Sequence, residues 1–168
     1  LKFGKVGIAH GWKMNNLEQF VRELNPRSAL STISQDGVNP IEVIAELINQ
    51  GKDIVDGIET AQNKTSGSCS LMIATGDGIY LARDKFGRTP IFVGHKPGVF
   101  AAALEPFAFL NRDFEAFHVL GAGEIGRLCT DGYERLKAGS DSDMQICAFL
   151  WVYYGFPASF YEGKYVEP

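Results

Sequence analysis

The order of apolar and polar positions divides the chain into a helical first third and a strand-rich remainder. Leu17, Phe20, Val21 and Leu24 recur at i, i+3, i+4 and i+7, which places them on one face of a helix. Asn16 stands where a cap belongs, with Gln19 as the reciprocal partner of a capping box, and Asn25-Pro26 ends the helix. Ile41, Ile44, Ala45 and Ile48 predict a second helix with a clearer start. Asn39 is its cap, Pro40 its first helical position, Glu42 lies in its first turn and Gly51 stops it. Asp53 to Ala61 predicts a third, weaker helix interrupted at Gly57, followed by a loop from Gln62 to Ser66. Ahead of all three, Gly4 to His10 is a short strand with Val6 and Ile8 on one face.

From Gly67 the period changes. Ser68–Thr75 and Ile79–Arg83 flank Gly76-Asp77-Gly78, a turn that closes a hairpin. Asp84-Lys85-Phe86-Gly87 is a second turn, and Thr89–Val93 a third strand, so an antiparallel meander covered by the first two helices is expected. Beyond it come a strand at Val99–Ala103, a Phe-rich helical turn at Glu105–Leu110, and strands at Phe117–Leu120 and Ile125–Cys129. Asp131-Gly132 turns the chain into a last hairpin strand, Tyr133–Leu136, and Lys137–Asp143 is a polar loop. Ile146–Tyr154, rich in aromatic residues, predicts a buried strand.

Composition narrows the class. With 168 residues, 45% of them hydrophobic, the chain suits one domain spanning 1–168. A net charge of −4 leaves no electrostatic footprint for nucleic acid, and the apolar runs are too short to span a membrane. Three widely spaced cysteines argue against a disulfide framework and for a reducing, cytoplasmic setting. Leu1 is not an initiator methionine, and a strand begins almost at once, so a piece of a longer protein is expected. His10, His95 and His118 lack metal-ligand spacing, and neither metal nor cofactor is expected. His95 falls in a turn and is expected to be solvated. Cys69 lies in an apolar strand without a nearby base, which makes it a core residue rather than a nucleophile. Gly121-Ala122-Gly123-Glu124-Ile125-Gly126 fits the dinucleotide-binding pattern, but Asp131-Gly132 turns the chain too soon for the helix that motif needs.

One stretch carries a family resemblance. Ala82, Arg83, Asp84, Gly87, Pro90 and Gly94 in LARDKFGRTPIFVG are similar to a turn of the class-II glutamine amidotransferases, the amidophosphoribosyltransferases in particular. Ala122-Gly123-Glu124-Ile125 resembles their Pro-Gly-Glu-Ile turn, and Phe149, Val152, Tyr153, Pro157 and Ser159 match the segment that closes their glutaminase domain. The resemblance implies an α+β fold of the N-terminal-nucleophile hydrolase kind, an αββα sandwich of largely antiparallel sheets, lacking its N-terminal portion. It implies hydrolysis of glutamine to glutamate and ammonia by an N-terminal cysteine whose α-amine acts as base, the ammonia passing to a partner subunit or domain.

At the positions that carry this chemistry the chain departs from the pattern. Leu1 is not the nucleophile, and the family's early Arg-Tyr-Pro-Thr segment is absent. The oxyanion-hole motif His-Asn-Gly-Asn aligns with His10-Gly11-Trp12-Lys13, so Gly11 and Trp12 stand where asparagine and glycine would. Ser-Asp-x-Glu aligns with Asn39-Pro40-Ile41-Glu42, leaving Glu42 matched and Pro40 at the aspartate that holds the substrate amine. His10, Asp36 and Glu42 are therefore the substrate-binding candidates, and no catalytic residue is assigned. Two expectations follow: a glutaminase domain or subunit whose nucleophile lies outside this chain, or a degenerate domain kept for binding to a partner. Amidophosphoribosyltransferase-like and glutamate synthase-like acceptors both stay open, and an oligomer or a subunit of a complex is expected.

Overall fold

The computed structural model describes residues 1–23, 33–34, 37–140 and 144–167. Its first half contains β1 (Gly7–Met14), α1 (Leu17–Glu23), the short pair β2 (Ile33–Ser34) and β3 (Gly37–Val38), α2 (Pro40–Asn49) and α3 (Ile54–Lys64). Then come β4 (Gly67–Thr75), β5 (Gly78–Ala82), β6 (Phe92–Lys96), β7 (Val99–Ala103) and α4 (Phe107–Leu110). The chain continues through β8 (Glu115–Val119), β9 (Ile125–Cys129) and β10 (Gly132–Lys137) to a π-helical turn at Leu150–Tyr154. It closes with the hairpin of β11 (Phe160–Tyr161) and β12 (Lys164–Tyr165). Among the described residues, a five-stranded sheet runs β1–β4–β5–β9–β10 and a three-stranded sheet runs β7–β6–β8, antiparallel throughout.

Strand alternation sets the layers. Cys69, Leu71 and Ile73 of β4 and Tyr80 and Ala82 of β5 point one way, into a cluster with Val43, Ile44, Leu47 and Ile48 of α2 and Ile58 and Ala61 of α3. Leu81 and Leu128 point the other way and meet Ile91, Val93 and Leu120 between the sheets. On the far face of the smaller sheet, Phe92 packs with Phe109 of α4 and Tyr161 of β11. Helices, sheet, sheet and a thin outer layer make the αββα sandwich that the resemblance implies. Each fully buried Leu or Ile contributes about 1.5–3 kcal/mol, so these clusters dominate stability.

The second helix forms as its sequence dictates. Asn39 Oδ1 accepts from the Ile41 N–H at 3.0 Å, and Pro40 occupies the first turn, where no intrahelical partner is needed. At α1 the capping box is absent. The Asn16 side chain donates to Lys64 O at 2.9 Å and accepts from Ser66 N–H at 2.9 Å, and Gln19 donates to Glu23 at 2.7 Å. Asn16 thus ties the end of β1 to the α3–β4 corner instead of capping.

Gly57 does not interrupt α3, which runs on to Lys64. A Cβ there would lie 2.3 Å from the Ile48 carbonyl oxygen, so glycine is what lets α2 and α3 touch. Its helix-propensity cost of about 1 kcal/mol is offset by that close approach. Gly57→Ala should therefore destabilise the protein by about 1–3 kcal/mol, because a backbone atom and not a side-chain end must move. A urea titration followed by circular dichroism measures it; an unchanged midpoint would contradict the account.

The meander holds for two strands only. β4 and β5 pair around Gly76–Gly78, but β5's other neighbour is β9, and the chain crosses after Arg83 to begin β6 in the second sheet. Pro90 brings no N–H to a ladder, and β6 starts at Phe92 rather than Thr89. β1 is also displaced from the expected Gly4–His10; it pairs with β4 from Gly7 opposite Ala74 to Met14 opposite Gly67. His95 lies on β6 beside the rings of Phe100 and Phe117, not in a solvated turn.

The expected buried strand at Ile146–Tyr154 is instead an exposed π-helical turn, closed by the Gly155 N–H on Leu150 O at 2.8 Å. Leu150 and Trp151 reach the outer cluster, while Val152 and Tyr153 are each 80% exposed. An apolar run without alternation does not distinguish strand from helix, and here it also misleads about burial. No described helix is long and apolar enough to cross a membrane.

Candidate functional site

The turn that carries the resemblance is a structural knot. Arg83 is 1% exposed and donates to Leu120 O and Gly87 O, both at 2.6 Å, and pairs with Glu162. Asp84 accepts from Phe86 N–H at 3.0 Å and Thr89 N–H at 3.3 Å through its side chain. The Asp84 carbonyl takes the Gly87 and Gly123 N–H groups, at 2.9 and 3.0 Å. Gly87 holds φ at 66°, which glycine adopts without strain. These partners all belong to the protein's own frame, so the turn fixes how the two sheets join.

The Gly121–Gly126 stretch is a turn leading straight into β9, with no helix after it. The Glu124 carboxylate accepts from Gly121 N–H at 2.8 Å and from the Tyr133 hydroxyl at 2.7 Å, and lies 2.7 Å from His118 Nε2. Burial pushes this carboxyl's pKa up, but the three partners outweigh it and hold it below the usual range. The cluster links β8 to β10 across the edge of the sandwich.

Of the site residues expected from sequence, Gly11 alone among the described ones lines a ligand-sized cavity. The cavity holds about 310 Å³, and Arg88, Thr89, Leu104, Glu105 and Tyr161 share its wall. A Cβ on Gly11 would lie 3.2 Å from Thr89 Cγ2 and 3.5 Å from Leu104 Cδ1, so the strand passes close to the opposite wall. His10 precedes it in β1 and so faces the other side of the sheet. Glu42 is half-buried in the first turn of α2 and does not line the cavity. Trp12 lies opposite Cys69 in the ladder; its side chain, like Asp36, lies outside the described residues.

Sequence reasoning missed Arg88 and Glu105. Arg88 donates to Gly67 O and to Gln145 Oε1, both at 2.5 Å, with its guanidinium 4.5 Å from the Phe86 ring centre. Glu105 accepts from Phe107 N–H at 3.0 Å, from Ser159 Oγ at 2.5 Å and from the Tyr161 hydroxyl. Burial, and then this carboxylate, push the Tyr161 phenol's pKa up. Neither residue has a sequence signature, because Arg88 is fixed by Gly67 and Gln145 and Glu105 by Ser159 and Tyr161, all distant in the chain. Among the described residues, no group of three or more His, Cys, Asp or Glu side chains could hold a metal ion.

Cys69 is 2% exposed in the core, and burial pushes its thiol pKa up to about 12 despite a hydrogen bond to Thr65. Cys147 is exposed on the cavity wall. Iodoacetamide at pH 8 should therefore label Cys147 in the native protein and leave Cys69 unmodified until denaturant is added. Peptide mass spectrometry reads the result; native labelling of Cys69 would overturn its place in the core.

No family model matches the chain. The amidophosphoribosyltransferase of Synechocystis sp. is 26% identical over 162 residues, which take in 94% of this chain and 33% of that protein. Its counterpart from Methanocaldococcus jannaschii is 29% identical over 127 residues, 73% of this chain and 26% of that protein. The chain thus spans about a third of the length of the curated relatives it matches. Among solved structures, the glutamine phosphoribosylpyrophosphate amidotransferase from B. subtilis, complexed with ADP and GMP, superposes with a TM-score of 0.79 at 22% identity. The match takes in 96% of this chain and 35% of that one. A structure described as the allosteric regulatory enzyme of purine biosynthesis gives a TM-score of 0.80, also at 22% identity, over 96% of this chain and 34% of that one. The α+β fold is that of these amidotransferases, and the chain resembles them over almost all its length.

Proposed function

We propose that this chain is part of a single class-II glutamine amidotransferase domain of the N-terminal-nucleophile kind, hydrolysing glutamine with a cysteine supplied from outside residues 1–168. The observation that carries the reading is the placement of Gly11, the oxyanion-hole-equivalent position, on the wall of a ligand-sized cavity within that fold. By the resemblance, Trp12 is the second oxyanion-hole-equivalent position, and His10, Asp36 and Glu42 are the substrate-binding candidates. Ammonia released there passes to an acceptor domain or subunit, amidophosphoribosyltransferase-like or glutamate synthase-like, in a cytoplasmic complex without metal or cofactor.

A second reading is a degenerate domain kept for assembly. Gly11 and Pro40 favour it, as does the exposed apolar surface of Phe149, Val152, Tyr153 and Tyr154, which suits a partner chain. Among the described residues β7 and β8 have no strand on their outer sides, which supports association on either reading. Incubated alone with glutamine, the chain should release no glutamate above background, since nucleophile and amine base are both absent. Turnover that vanishes on Cys69→Ala would overturn both the assignment and the place of Cys69 as a core residue.

A further inference from the structure

The outer layer over the smaller sheet combines a projecting ridge with a hollow. Leu150 and Trp151 pack into the cluster of Phe92, Phe109 and Tyr161, which anchors the π-helical turn on that face. From this anchor Val152 and Tyr153 project into solvent, and Phe149, Tyr153 and Tyr154 meet edge to face along the ridge. Phe92 and Phe109 also line a hollow of about 400 Å³, together with Leu110, Ala158, Phe160 and Tyr165. A cavity of about 150 Å³ admits a benzene ring, so this one has room for two aromatic rings.

The face is large enough for a stable contact. Phe149, Tyr153, Tyr154, Phe156, Phe160 and Tyr165 are each 42–80% exposed. With about 200 Å² to a whole aromatic side chain, they leave roughly 750 Å² open to water, close to the ~800 Å² that one partner gives to a standard interface. Charge and shape together point to the occupant. No Asp, Glu, Lys, Arg or His occurs from Met144 to Tyr161, and His118 is the one such side chain lining the hollow. A two-fold interface lays a surface against itself, so a charged face would meet its own sign, whereas this face meets almost none. Just beyond it Glu162, Lys164 and Glu167 alternate in sign, which suits pairing across a two-fold axis. A ridge and a hollow on one face are what a self-complementary contact requires. A different partner would have to supply the inverse of both.

We propose that two copies of this chain pair about a two-fold axis through this outer layer, the ridge at Tyr153 of each seated in the hollow beside Leu110 of the other. Phe149 and Tyr154 also stand on the wall of the Gly11 cavity, so the pairing reaches that cavity's rim. It holds on either reading of the function.

Sedimentation equilibrium of the full chain at micromolar concentration should give twice the chain mass. Tyr153→Lys and Leu110→Asp should each weaken the pairing by about a hundredfold or more, because symmetry places every substitution at two contacts. Both positions are exposed, so each variant should keep the circular-dichroism spectrum of the parent. An equal mixture of the two variants should recover dimer, in which one contact is unaltered and the other joins opposite charges. If Leu110→Asp fails to fold, Ala158→Trp, which fills the hollow from an exposed position, replaces it and loss of dimer decides. A parent chain that stays monomeric overturns the proposal and leaves the face to another domain or protein. Dimer that persists in both variants also overturns it, and moves the contact to the outer sides of β7 and β8. Monomeric variants that do not recover on mixing exclude the two-fold arrangement, and with it the proposal.

Discussion

Arg83→Met should lower the stability of the domain by about 3–5 kcal/mol, a large share of what a domain of this size has. Methionine fills much of the same volume, so the loss comes from the charge and its hydrogen bonds rather than from a void. Arg83 is enclosed at 1% exposure and satisfies Leu120 O, Gly87 O and Glu162 together. Those three acceptors lie in the connection out of β8, the turn after β5 and the β11–β12 hairpin. One side chain therefore pins the crossing between sheets to the last hairpin of the chain. Without it, the two carbonyls and the carboxylate must find water, which Glu162 reaches more easily at 21% side-chain exposure. Arg83→Lys should fall between, since an ammonium serves such a spread of acceptors less well than a planar fork. Urea unfolding of the three proteins gives the order; a loss below about 1 kcal/mol for Arg83→Met would show that the turn holds by packing alone.

What the sequence made legible was local. Asn39-Pro40 starts α2 through contacts within a few residues, and the β4–β5 hairpin follows from the glycines on either side of Asp77. The placement of Cys69 inside follows from its apolar surroundings. Sheet membership was not legible, because β5 pairs with β9 and β6 with β8, and those choices depend on residues distant in the chain. Gly57 carried a helix-breaking signal whose real meaning, a close approach to Ile48 O, needs the second helix in place. The aromatic run at Ile146–Tyr154 reads as core by composition but lies mostly outside it.

The candidate site divides in the same way. Gly11 was singled out by aligning His10–Lys13 with a family motif that it does not fully match, and it lies on the cavity wall. Its opposite wall was hidden, since Glu105 is set by Ser159 and Tyr161, more than fifty residues further on. Glu42 matches a family motif in sequence, yet it lies in the first turn of α2, away from the cavity wall.

The second large effect concerns the oxyanion hole proposed at Gly11 and Trp12. A hole needs donors aimed at the developing negative charge, and losing one costs about two to three orders of magnitude in rate. Gly11 has no side-chain amide to give, and Trp12 puts a side chain where the family has none. A chimera carrying the N-terminal nucleophile segment of an active relative should therefore stay poor until Gly11→Asn and Trp12→Gly are added. The Cβ that Gly11→Asn introduces would lie 3.2 Å from Thr89 Cγ2, and a side-chain methyl can give way by the small shift this needs. Pro40→Asp, which puts a carboxylate where the resemblance aligns the family's amine-binding aspartate, is the further arm.

The most direct measurement of the central claim is glutamate release by this chimera, with and without the substitutions at Gly11 and Trp12. The account predicts little or no release from the unsubstituted chimera and a gain of about two orders of magnitude on restoring the hole, with Pro40→Asp raising it further. Full glutaminase activity in the unsubstituted chimera would show that Gly11, Trp12 and Pro40 leave the site competent as they stand and that the chain is a fragment of a working enzyme; no release from any of the chimeras would contradict the glutaminase proposal and favour the degenerate domain.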